Sequence, residues 1–265
     1  MPVPRRARKG EPVVYLSPAP PRVLAHRGLA LEAPENTLLA FLHAVNAGAT
    51  HVETDVHGSA DGVAMVSHDP DLSRVAGRAV AVGQLTATEL RKVALGSGQG
   101  FCSLAEALDA FPETRFNIDI KSADAIPGTI KAVRDARAVD RVLIGSFSDT
   151  RRLRTIRELP GVATSVSARG ALPAVHAARA GATRLLSRIL SGVDAVQLPA
   201  KVAGAAVVTP RSIRTFHAVG VEVHIWTINE PADMDRLLDA GVDGIVTDRA
   251  DLAVPLVAAR HPRRR

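Results

Sequence analysis

Short β-branched runs alternate with amphipathic runs along most of this chain of 265 residues. The β-branched runs predict strands at 22–25, 51–56, 115–120, 142–145, 162–165, 195–198, 221–226 and 244–246. The amphipathic runs repeat apolar residues at the spacing of a helix face, and they predict helices at 34–47, 104–110, 126–137, 150–159, 171–180, 212–218, 231–240 and 252–259. Eight strands alternating with eight helices predict an α/β fold, a TIM-type (β/α)8 barrel.

A doubly wound open sheet is the alternative architecture for such an alternation. The first predicted strand is followed by Ala25-His26-Arg27-Gly28, which lacks the Gly-rich dinucleotide fingerprint of that fold. Four predicted helices end at a glycine shortly before a strand, as is typical of αβ turns. Because no Pro-, Gly- or Ser-rich linker divides the body, one barrel domain is expected over 21–260.

One long segment interrupts the alternation. Between His68 and Phe101 the periodicity is weak and several glycines occur, ending in Gly96-Ser97-Gly98-Gln99-Gly100. The following helix and Lys-Ser/Thr pair of a P-loop are absent, so a phosphate cradle is not expected. The segment predicts a short insertion after the second strand, at about 70–100, which lies over the barrel mouth and has a flexible hinge at its Gly-rich end.

The net charge of +6 comes from the two ends of the chain. Seven basic residues lie there: Arg5, Arg6, Arg8, Lys9, Arg263, Arg264 and Arg265. We therefore expect disordered basic tails at 1–20 and 261–265, with loose attraction to anionic lipid or RNA as the alternative. Aromatic residues are only 3% of the chain, so no nucleic-acid partner is expected.

The remaining composition indicates a cytoplasmic globular protein without stable membrane insertion. Hydrophobic residues are 46% and charged residues 23% of the chain, and no apolar window reaches the length of a membrane span. Cys102 is the single cysteine, which excludes an internal disulfide and a cysteine-based zinc cluster. We expect Cys102 to be a small buried side chain.

Polar residues gather at the carboxyl ends of the predicted strands, where the active site of a barrel lies. Glu53 and Asp55 have the i, i+2 spacing that places two side chains on one face of a strand, and Asp119 and Lys121 repeat it. Inward carboxylates are costly unless they are paired or bound to metal. The three carboxylates suit Mg²⁺ or Ca²⁺, and the alternative is a salt-bridge cluster with Lys121 and Arg27.

An ordered set of motifs then identifies a family. The motifs are His26-Arg27-Gly28, Pro34-Glu35-Asn36-Thr37, Glu53-x-Asp55-Val56, Asp61-Gly62, His68-Asp69, Asp119-Ile120-Lys121, Ser146-Phe147, Trp226-Thr227-x-Asn229 and Gly244-x-x-Thr247-Asp248. Over about 22–255 the chain resembles the glycerophosphodiester phosphodiesterase family. The resemblance implies a TIM-type barrel, a divalent metal, and hydrolysis of glycerophosphodiesters to sn-glycerol 3-phosphate and an alcohol.

The resemblance also implies a metal site. Glu53, Asp55 and Asp119 correspond to its ligands, although the family most often has Glu where Asp119 stands. Asp is one methylene shorter, so a bridging water or a shifted metal would be needed there. Glu35 resembles a position that orients the arginine or the metal shell. His57 has no clear family role, and we expect it to be a non-catalytic loop histidine.

The same resemblance implies that His26 and His68 are the general base and general acid, that Arg27 and Lys121 bind the phosphate, and that Trp226 packs near the glycerol. These residue types fit the chemistry, because cations neutralise the phosphodiester and two imidazoles transfer protons near neutral pH. The first nucleophile is either water or the glycerol 2-hydroxyl. The oligomeric state is not predicted.

Two other functions remain as alternatives. One is a lysophospholipase D-type lipid hydrolase on the same barrel, which would need an apolar face. In the insertion, Val75, Val80, Val82 and Leu85 supply only a modest one. The other is a non-catalytic barrel that binds glycerol phosphate or RNA as a regulator.

Overall fold

The structure is a computed structural model that describes residues 14–260. Its strands are β1 (Arg22–His26), β2 (His51–Gly58), β3 (Ala64–Val66), β4 (Asp71–Leu72), β5 (Arg78–Ala81), β6 (Arg115–Ile120), β7 (Val142–Gly145), β8 (Ala163–Thr164), β9 (Ala195–Pro199), β10 (Lys201–Val202), β11 (Ala205–Ala206), β12 (Glu222–Trp226) and β13 (Gly244–Thr247). Its α-helices are α1 (Leu38–Asn46), α2 (Ser73–Ala76), α3 (Ala87–Arg91), α4 (Leu104–Ala110), α5 (Ala125–Asp135), α6 (Asp149–Glu158), α7 (Ala168–Arg179), α8 (Thr183–Ile189), α9 (Pro210–His217), α10 (Pro231–Asp239) and α11 (Ala250–Arg260).

Eight parallel strands form a nearly closed barrel, as predicted. Their order is β8-β7-β6-β2-β1-β13-β12-β9. Barrel strands that follow one another in the sequence are therefore adjacent in the sheet. The ends of this order meet at one bridge between Ser165 and Ala195. Most barrel-strand residues are buried, as is typical of a parallel sheet covered by helices. On one side, Phe41 of α1 packs edge-on against Phe116 of β6, with ring centroids 5.8 Å apart.

The first helix begins later than the sequence pattern predicts. The predicted helix starts at Pro34 or Glu35, whereas α1 starts at Leu38. Thr37 caps it, because its hydroxyl accepts the backbone N–H of Ala40 at 3.2 Å. Asn36 has a φ of 56°, in the left-handed region that interrupts a helix. The residues before Thr37 therefore form a turn.

The predicted insertion is not an irregular segment. It contains β4, β5, α2 and α3, and it has its own small hydrophobic cluster. The buried members of this cluster are Met65, Leu72, Val82, Ala87, Leu90, Val93 and Phe101. Helices α2 and α3 have only four and five residues, which is too short for the apolar periodicity of a helix to be recognised in the sequence. The glycines at its end form a tight turn in which Leu95 N–H donates to the Gln99 carbonyl at 2.8 Å.

The N-terminal segment corrects another prediction. A disordered tail was expected over 1–20, but Val14–Leu16 form a 3₁₀ helix in which Tyr15 is fully buried. The Tyr15 carbonyl accepts a hydrogen bond from Nε2 of His51 at 2.9 Å, at the amino end of β2 and so at the barrel end opposite the strand carboxyl ends. The predicted tails at 1–13 and 261–265 lie outside the described residues.

Two further elements lie between β8 and β12 and were not predicted. They are helix α8 and the short antiparallel hairpin β10–β11. The hairpin follows directly on β9, at the carboxyl end of that strand. Along the part of the chain from 14 to 260, no helix is both long enough and apolar enough to cross a membrane.

Candidate active site

The register of the barrel strands brings the predicted site residues together. His26 pairs with Glu53 between β1 and β2, and Asp55 pairs with Asp119 between β2 and β6. Parallel strands present the same end to the same side of the barrel, so these side chains meet at its carboxyl face. They line a cavity of about 590 Å³, which is within the usual size range of small-molecule sites. Lys121 also lines it.

Two cations lie among the carboxylates. The ammonium of Lys121 is 2.9 Å from Oδ1 of Asp55 and 2.8 Å from Oδ2 of Asp119. Nε of Arg27 is 3.3 Å from Oδ2 of Asp55, and its Nη1 is 3.0 Å from Oε1 of Glu35. Burial lowers the pKa of Lys121, but the two carboxylates outweigh burial and raise it overall. Lys121 is therefore a cation bound to both aspartates.

Glu53 is buried, with 8% of its surface exposed. Its Oε2 accepts the backbone N–H of Arg27 at 3.2 Å and lies 3.9 Å from Nε2 of His26. Burial raises the pKa of Glu53 well above its ordinary range, and the carboxylate of Asp55 raises it further. In this arrangement, negative charge at Glu53 is only partly compensated.

The carboxylates fit a hard divalent cation in donor type. Oδ1 of Asp119 is buried and has no hydrogen-bond partner among the described residues, and such an atom normally has one. Within residues 14–260, however, no group of three His, Cys, Asp or Glu side chains is arranged to hold a metal ion. The salt-bridge alternative is the arrangement that forms here, with Lys121 between Asp55 and Asp119.

His26 is held by a carboxylate. Its Nδ1 donates to Oδ1 of Asp248 at 2.6 Å, and Oδ2 of Asp248 accepts the side-chain amide of Asn229 at 2.8 Å. Burial lowers the pKa of His26, but the bond to Asp248 and the nearby Glu53 outweigh burial, so the pKa lies above its ordinary value. Because Nδ1 is occupied, Nε2 is the nitrogen directed to the cavity side near Glu53.

His68, which also lines the cavity, has a similar arrangement. Its Nδ1 donates to Oδ1 of Asp69 at 2.8 Å. Arg74 of α2 binds Oδ2 of Asp69 through Nε, and its Nη2 lies 2.6 Å from Oε1 of Glu35. Arg74 thereby joins the carboxylate beside His68 to the carboxylate that binds Arg27.

An aromatic wall lies beside Lys121. Phe147 follows β7, and its ring centroid is 6.4 Å from that of Trp226 at the end of β12. The ammonium of Lys121 lies 5.8 Å from the Phe147 centroid, close enough for a cation–π contact. Phe147 is 60% exposed, so its ring is open to the cavity and to solvent.

All eight predicted site residues line this one cavity: His26, Arg27, Glu53, Asp55, His68, Asp119, Lys121 and Trp226. His57 is not among the residues that line the cavity. It lies in strand β2 rather than in the expected loop, and its Nε2 contacts the His68 carbonyl at 3.2 Å. Cys102 is free and buried.

Sequence reasoning did not assign several contacts. Asn36 donates to Oδ2 of Asp55 at 3.2 Å and accepts from the Thr54 hydroxyl at 2.8 Å. Asn117 lines the cavity and shares the strand face of Asp119, so the i, i+2 rule could have found it. No pattern in the sequence indicated Arg74, because its contacts depend on the fold of the insertion.

Comparison with known proteins shows the family. The sequence model of the glycerophosphoryl diester phosphodiesterase family matches residues 26–252. The chain belongs to this family. It is 44% identical over 239 residues to "Probable glycerophosphodiester phosphodiesterase 2" of Mycobacterium tuberculosis, and the match covers 89% of this chain and 90% of that protein. The predicted family and the enzyme class it represents are thereby confirmed.

Solved structures agree with the barrel. A glycerophosphodiester phosphodiesterase from Thermotoga maritima has a TM-score of 0.69 and 26% identity, and the match covers 88% of this chain and 97% of that one. A phosphodiesterase from Oleispira antarctica in complex with the product sn-glycerol-3-phosphate has a TM-score of 0.74 and 23% identity, covering 90% and 97%. The predicted TIM-type fold is therefore confirmed.

Proposed function

We propose that this protein hydrolyses a glycerophosphodiester to sn-glycerol 3-phosphate and an alcohol. One observation supports this most directly. Two imidazoles, His26 and His68, line one cavity, each with Nδ1 on a carboxylate, and Arg27 and Lys121 line the same cavity. This set provides two proton-transfer groups and two cations around one anionic group. The 44% identity to the mycobacterial protein supports the same activity.

In this proposal, His26 is the general base and His68 the general acid. Asp248 fixes the imidazole of His26 so that Nε2 is available to take a proton from the attacking hydroxyl. His68 lies beside the insertion, through Asp69 and Arg74, and would protonate the leaving alcohol there. An alkoxide has a pKa far above 7, so its departure requires this proton.

Arg27 and Lys121 are proposed to bind the phosphate oxygens. Both are cations fixed in advance by carboxylates, which reduces the reorganisation needed when an anion arrives. Trp226 is proposed to pack against the glycerol, since its ring contacts that of Phe147, which lies beside the ammonium of Lys121. The glycerol would then lie on the Trp226 side of phosphorus and the leaving alcohol on the His68 side.

Glu53, Asp55 and Asp119 are proposed to hold a divalent cation, Mg²⁺ or Ca²⁺. Their oxygens are the donor type that these ions prefer, and Oδ1 of Asp119 lacks a partner among the residues described here. A bound cation supplies charge neutralisation for the phosphodiester. It would also keep Glu53 ionised, which burial otherwise disfavours.

The cellular setting is also a proposal. We place the protein in the cytoplasm, because its single cysteine is free and buried and the chain lacks the cysteine pairs of many secreted proteins. The proposed partner is the small-molecule substrate alone. The scarcity of aromatic residues in the sequence argues against a nucleic-acid partner.

Choline release from glycerophosphocholine tests the proposal. We expect turnover that stops with EDTA and returns with added Mg²⁺ or Ca²⁺. Glu53→Gln should remove the metal-stimulated turnover and leave the unfolding transition cooperative, whereas Glu113→Gln, at an exposed position before β6, should behave as wild type. Wild-type turnover of Glu53→Gln after chelation and metal addition would show that the metal is held elsewhere. Absence of turnover by the wild-type protein with either metal would refute the proposed activity.

A further inference from the structure

Positive charge within the barrel domain is concentrated in one stretch of the chain. Residues 166–221 contain one acidic residue, Asp194, and seven basic residues: Arg169, Arg179, Arg184, Arg188, Lys201, Arg211 and Arg214. The next stretch, 222–260, contains eight acidic and three basic residues. The basic stretch forms helices α7, α8 and α9 and the β10–β11 hairpin. This side of the protein is therefore strongly basic without any contribution from the predicted tails.

Four arginines of this stretch lie at the turn between α7 and α8. Arg179 is the last residue of α7, and Arg184 and Arg188 are four residues apart on α8, so they share a helix face. A β-carbon on Gly181 would lie 3.6 Å from Nη2 of Arg211, which places the guanidinium of α9 at the same turn. All four arginines are exposed. Within residues 14–260, none of the four forms an ion pair or a side-chain hydrogen bond.

The arginines of the two following helices are arranged differently. On α10, Arg236 binds Asp233, and on α11, Arg260 binds Asp235 and Asp239. Guanidinium groups that lie together without carboxylates repel one another. The cluster at the α7–α8 turn therefore gains free energy when an anionic partner lies against it.

Exposed aliphatic side chains lie among these cations. Of the seven large hydrophobic side chains exposed within residues 14–260, Leu172, Leu185 and Val202 belong to the basic stretch, at 65%, 52% and 60% exposure. Leu185 lines a surface hollow together with Arg184 and Arg188. Leu172 of α7 and Val202 of the hairpin border one cavity. We call the whole set the α7–α8 surface: Leu172, Arg179, Arg184, Leu185, Arg188, Val202 and Arg211.

The combination of cations and aliphatic side chains suits the face of an anionic bilayer. Phosphate groups of the lipids attract the arginines, and exposed aliphatic side chains enter the boundary between head groups and acyl chains. A single-stranded nucleic acid would match the charge, but its bases bind by stacking on aromatic side chains. The α7–α8 surface has aliphatic side chains in their place, which favours lipid over nucleic acid.

We infer that the α7–α8 surface binds the face of an anionic phospholipid bilayer, so that the protein adsorbs to such a membrane from one side. This inference goes beyond the proposed function, in which the substrate is the only partner, and it does not depend on that function. Leu172, Arg179 and Val202 also line the active-site cavity. Adsorption therefore places one rim of the cavity against the lipid head groups.

Binding of the full chain to vesicles provides the first test. Vesicles of phosphatidylglycerol and phosphatidylcholine in equal amounts are the anionic membrane, vesicles of phosphatidylcholine alone are the neutral one, and sedimentation measures the bound fraction against lipid concentration. We expect saturable binding to the anionic vesicles that weakens as the salt concentration rises, and little binding to the neutral ones. Equal binding to both, or retention of polyuridylate but not of anionic vesicles, would overturn the inference.

Charge variants identify the surface that binds. The double variant Arg184→Gln, Arg188→Gln should lower the partition coefficient on anionic vesicles by about 25-fold, because each arginine near such a membrane contributes about fivefold. The control Arg78→Gln, Lys92→Gln removes the same charge from exposed positions of the insertion that form no ion pair among the described residues. Both proteins keep the basic tails and should keep the wild-type unfolding transition. Equal losses in the two variants, or no loss in the first, would assign binding to the tails and overturn the inference.

A spin label tests whether the aliphatic side chains enter the bilayer. Leu185→Cys can be labelled selectively with a nitroxide, because Cys102 is buried and burial raises the pKa of its thiol to about 12. On anionic vesicles, the nitroxide at 185 should become less accessible to a water-soluble nickel chelate and more accessible to oxygen, which concentrates among acyl chains. The same label on Arg78→Cys should keep its accessibility in solution. An unchanged nitroxide at 185 in vesicle-bound protein, or equal changes at both positions, would contradict the inference.

Discussion

The carboxylate of Asp248 lies 2.6 Å from Nδ1 of His26, so the carboxyl end of the last barrel strand fixes the imidazole at the end of the first. Asp248 is itself oriented by Asn229, which follows β12. Three adjacent strands therefore determine where Nε2 of His26 lies. A proposed general base that depends on this arrangement should be sensitive to the charge of Asp248.

Asp248→Asn tests this dependence. Asparagine keeps the shape but loses the charge that favours Nδ1–H and a basic Nε2, so we expect kcat for glycerophosphocholine to fall on the order of 10²-fold. KM should change much less, because Asp248 is not proposed to contact the substrate. Asp251→Asn is the control, since Asp251 pairs with Arg249 outside the cavity. A wild-type kcat for Asp248→Asn would show that His26 is positioned without it.

The two histidines can be distinguished by the leaving group. A p-nitrophenyl ester leaves readily without a proton, whereas choline does not. His68→Ala should therefore lose much less activity on a glycerophospho-p-nitrophenyl ester than on glycerophosphocholine, and His26→Ala should lose a similar factor on both, on the order of 10²–10⁴-fold. The measurement is kcat/KM for each variant on each ester.

Other outcomes would contradict these roles in different ways. Equal losses by both variants on both esters would contradict the division into acid and base. Losses below tenfold for both variants would show that the histidines are structural. The assignment would be reversed if His26→Ala lost much less activity on the p-nitrophenyl ester than on glycerophosphocholine, while His68→Ala lost a similar factor on both esters.

Arg74 should influence His68 although it lies in the insertion. It binds the carboxylate of Asp69 that accepts from His68. Arg74→Ala leaves Asp69 free to move, so we expect kcat on glycerophosphocholine to fall about tenfold, less than for loss of the acid itself. The p-nitrophenyl ester should be affected less. Arg78→Ala, at an exposed position of β5, should leave both rates unchanged, and an equal fall on both esters would contradict the proposed link.

His51 should make the fold sensitive to acid. It is fully buried, its Nε2 donates to the Tyr15 carbonyl, and its Nδ1 accepts from the Thr50 hydroxyl at 2.9 Å. Burial lowers the pKa of His51 to about 3, so the folded state keeps the ring neutral while the unfolded chain takes up a proton below about 6.5. The neutral His51 ring therefore makes its full contribution to the free energy of unfolding above pH 6.5. That contribution is lost as the pH falls towards 3, by up to about 5 kcal/mol.

The free energy of unfolding of wild type and His51→Gln, measured by urea titration at several pH values, tests this. We expect the difference between the two proteins to shrink as the pH falls. His43→Gln on α1 is the control, because His43 is only partly buried. A constant difference between pH 7 and pH 4 would show that His51 does not titrate on unfolding.

The barrel could be predicted from the sequence because short β-branched runs alternate with amphipathic runs that have a regular apolar face. The carboxylate pair at Glu53 and Asp55 could be predicted for a related reason, since the two-residue period of a strand fixes which side chains share a face. These rules are local, and each applies within a single element.

The remaining features depend on contacts between distant parts of the chain. The insertion has elements of two to five residues, too short for periodicity to appear. The ion pairs of Lys121 depend on the register between β2 and β6, and no single strand pattern specifies it. The cavity lining also combines residues of α7 with residues of the unpredicted β10–β11 hairpin, so these residues are dispersed in the sequence.

The barrel strands have their weakest pairing between β8 and β9. Strand β8 has two residues, and one bridge, between Ser165 and Ala195, joins it to the next strand. Local opening requires fewest broken hydrogen bonds at such a place. Ser165 and the following Val166 also line the cavity. Amide hydrogens of 163–166 should therefore exchange with solvent earlier than those of the other barrel strands. A ligand that contacts both β8 and β9 would reduce local opening here and slow this exchange.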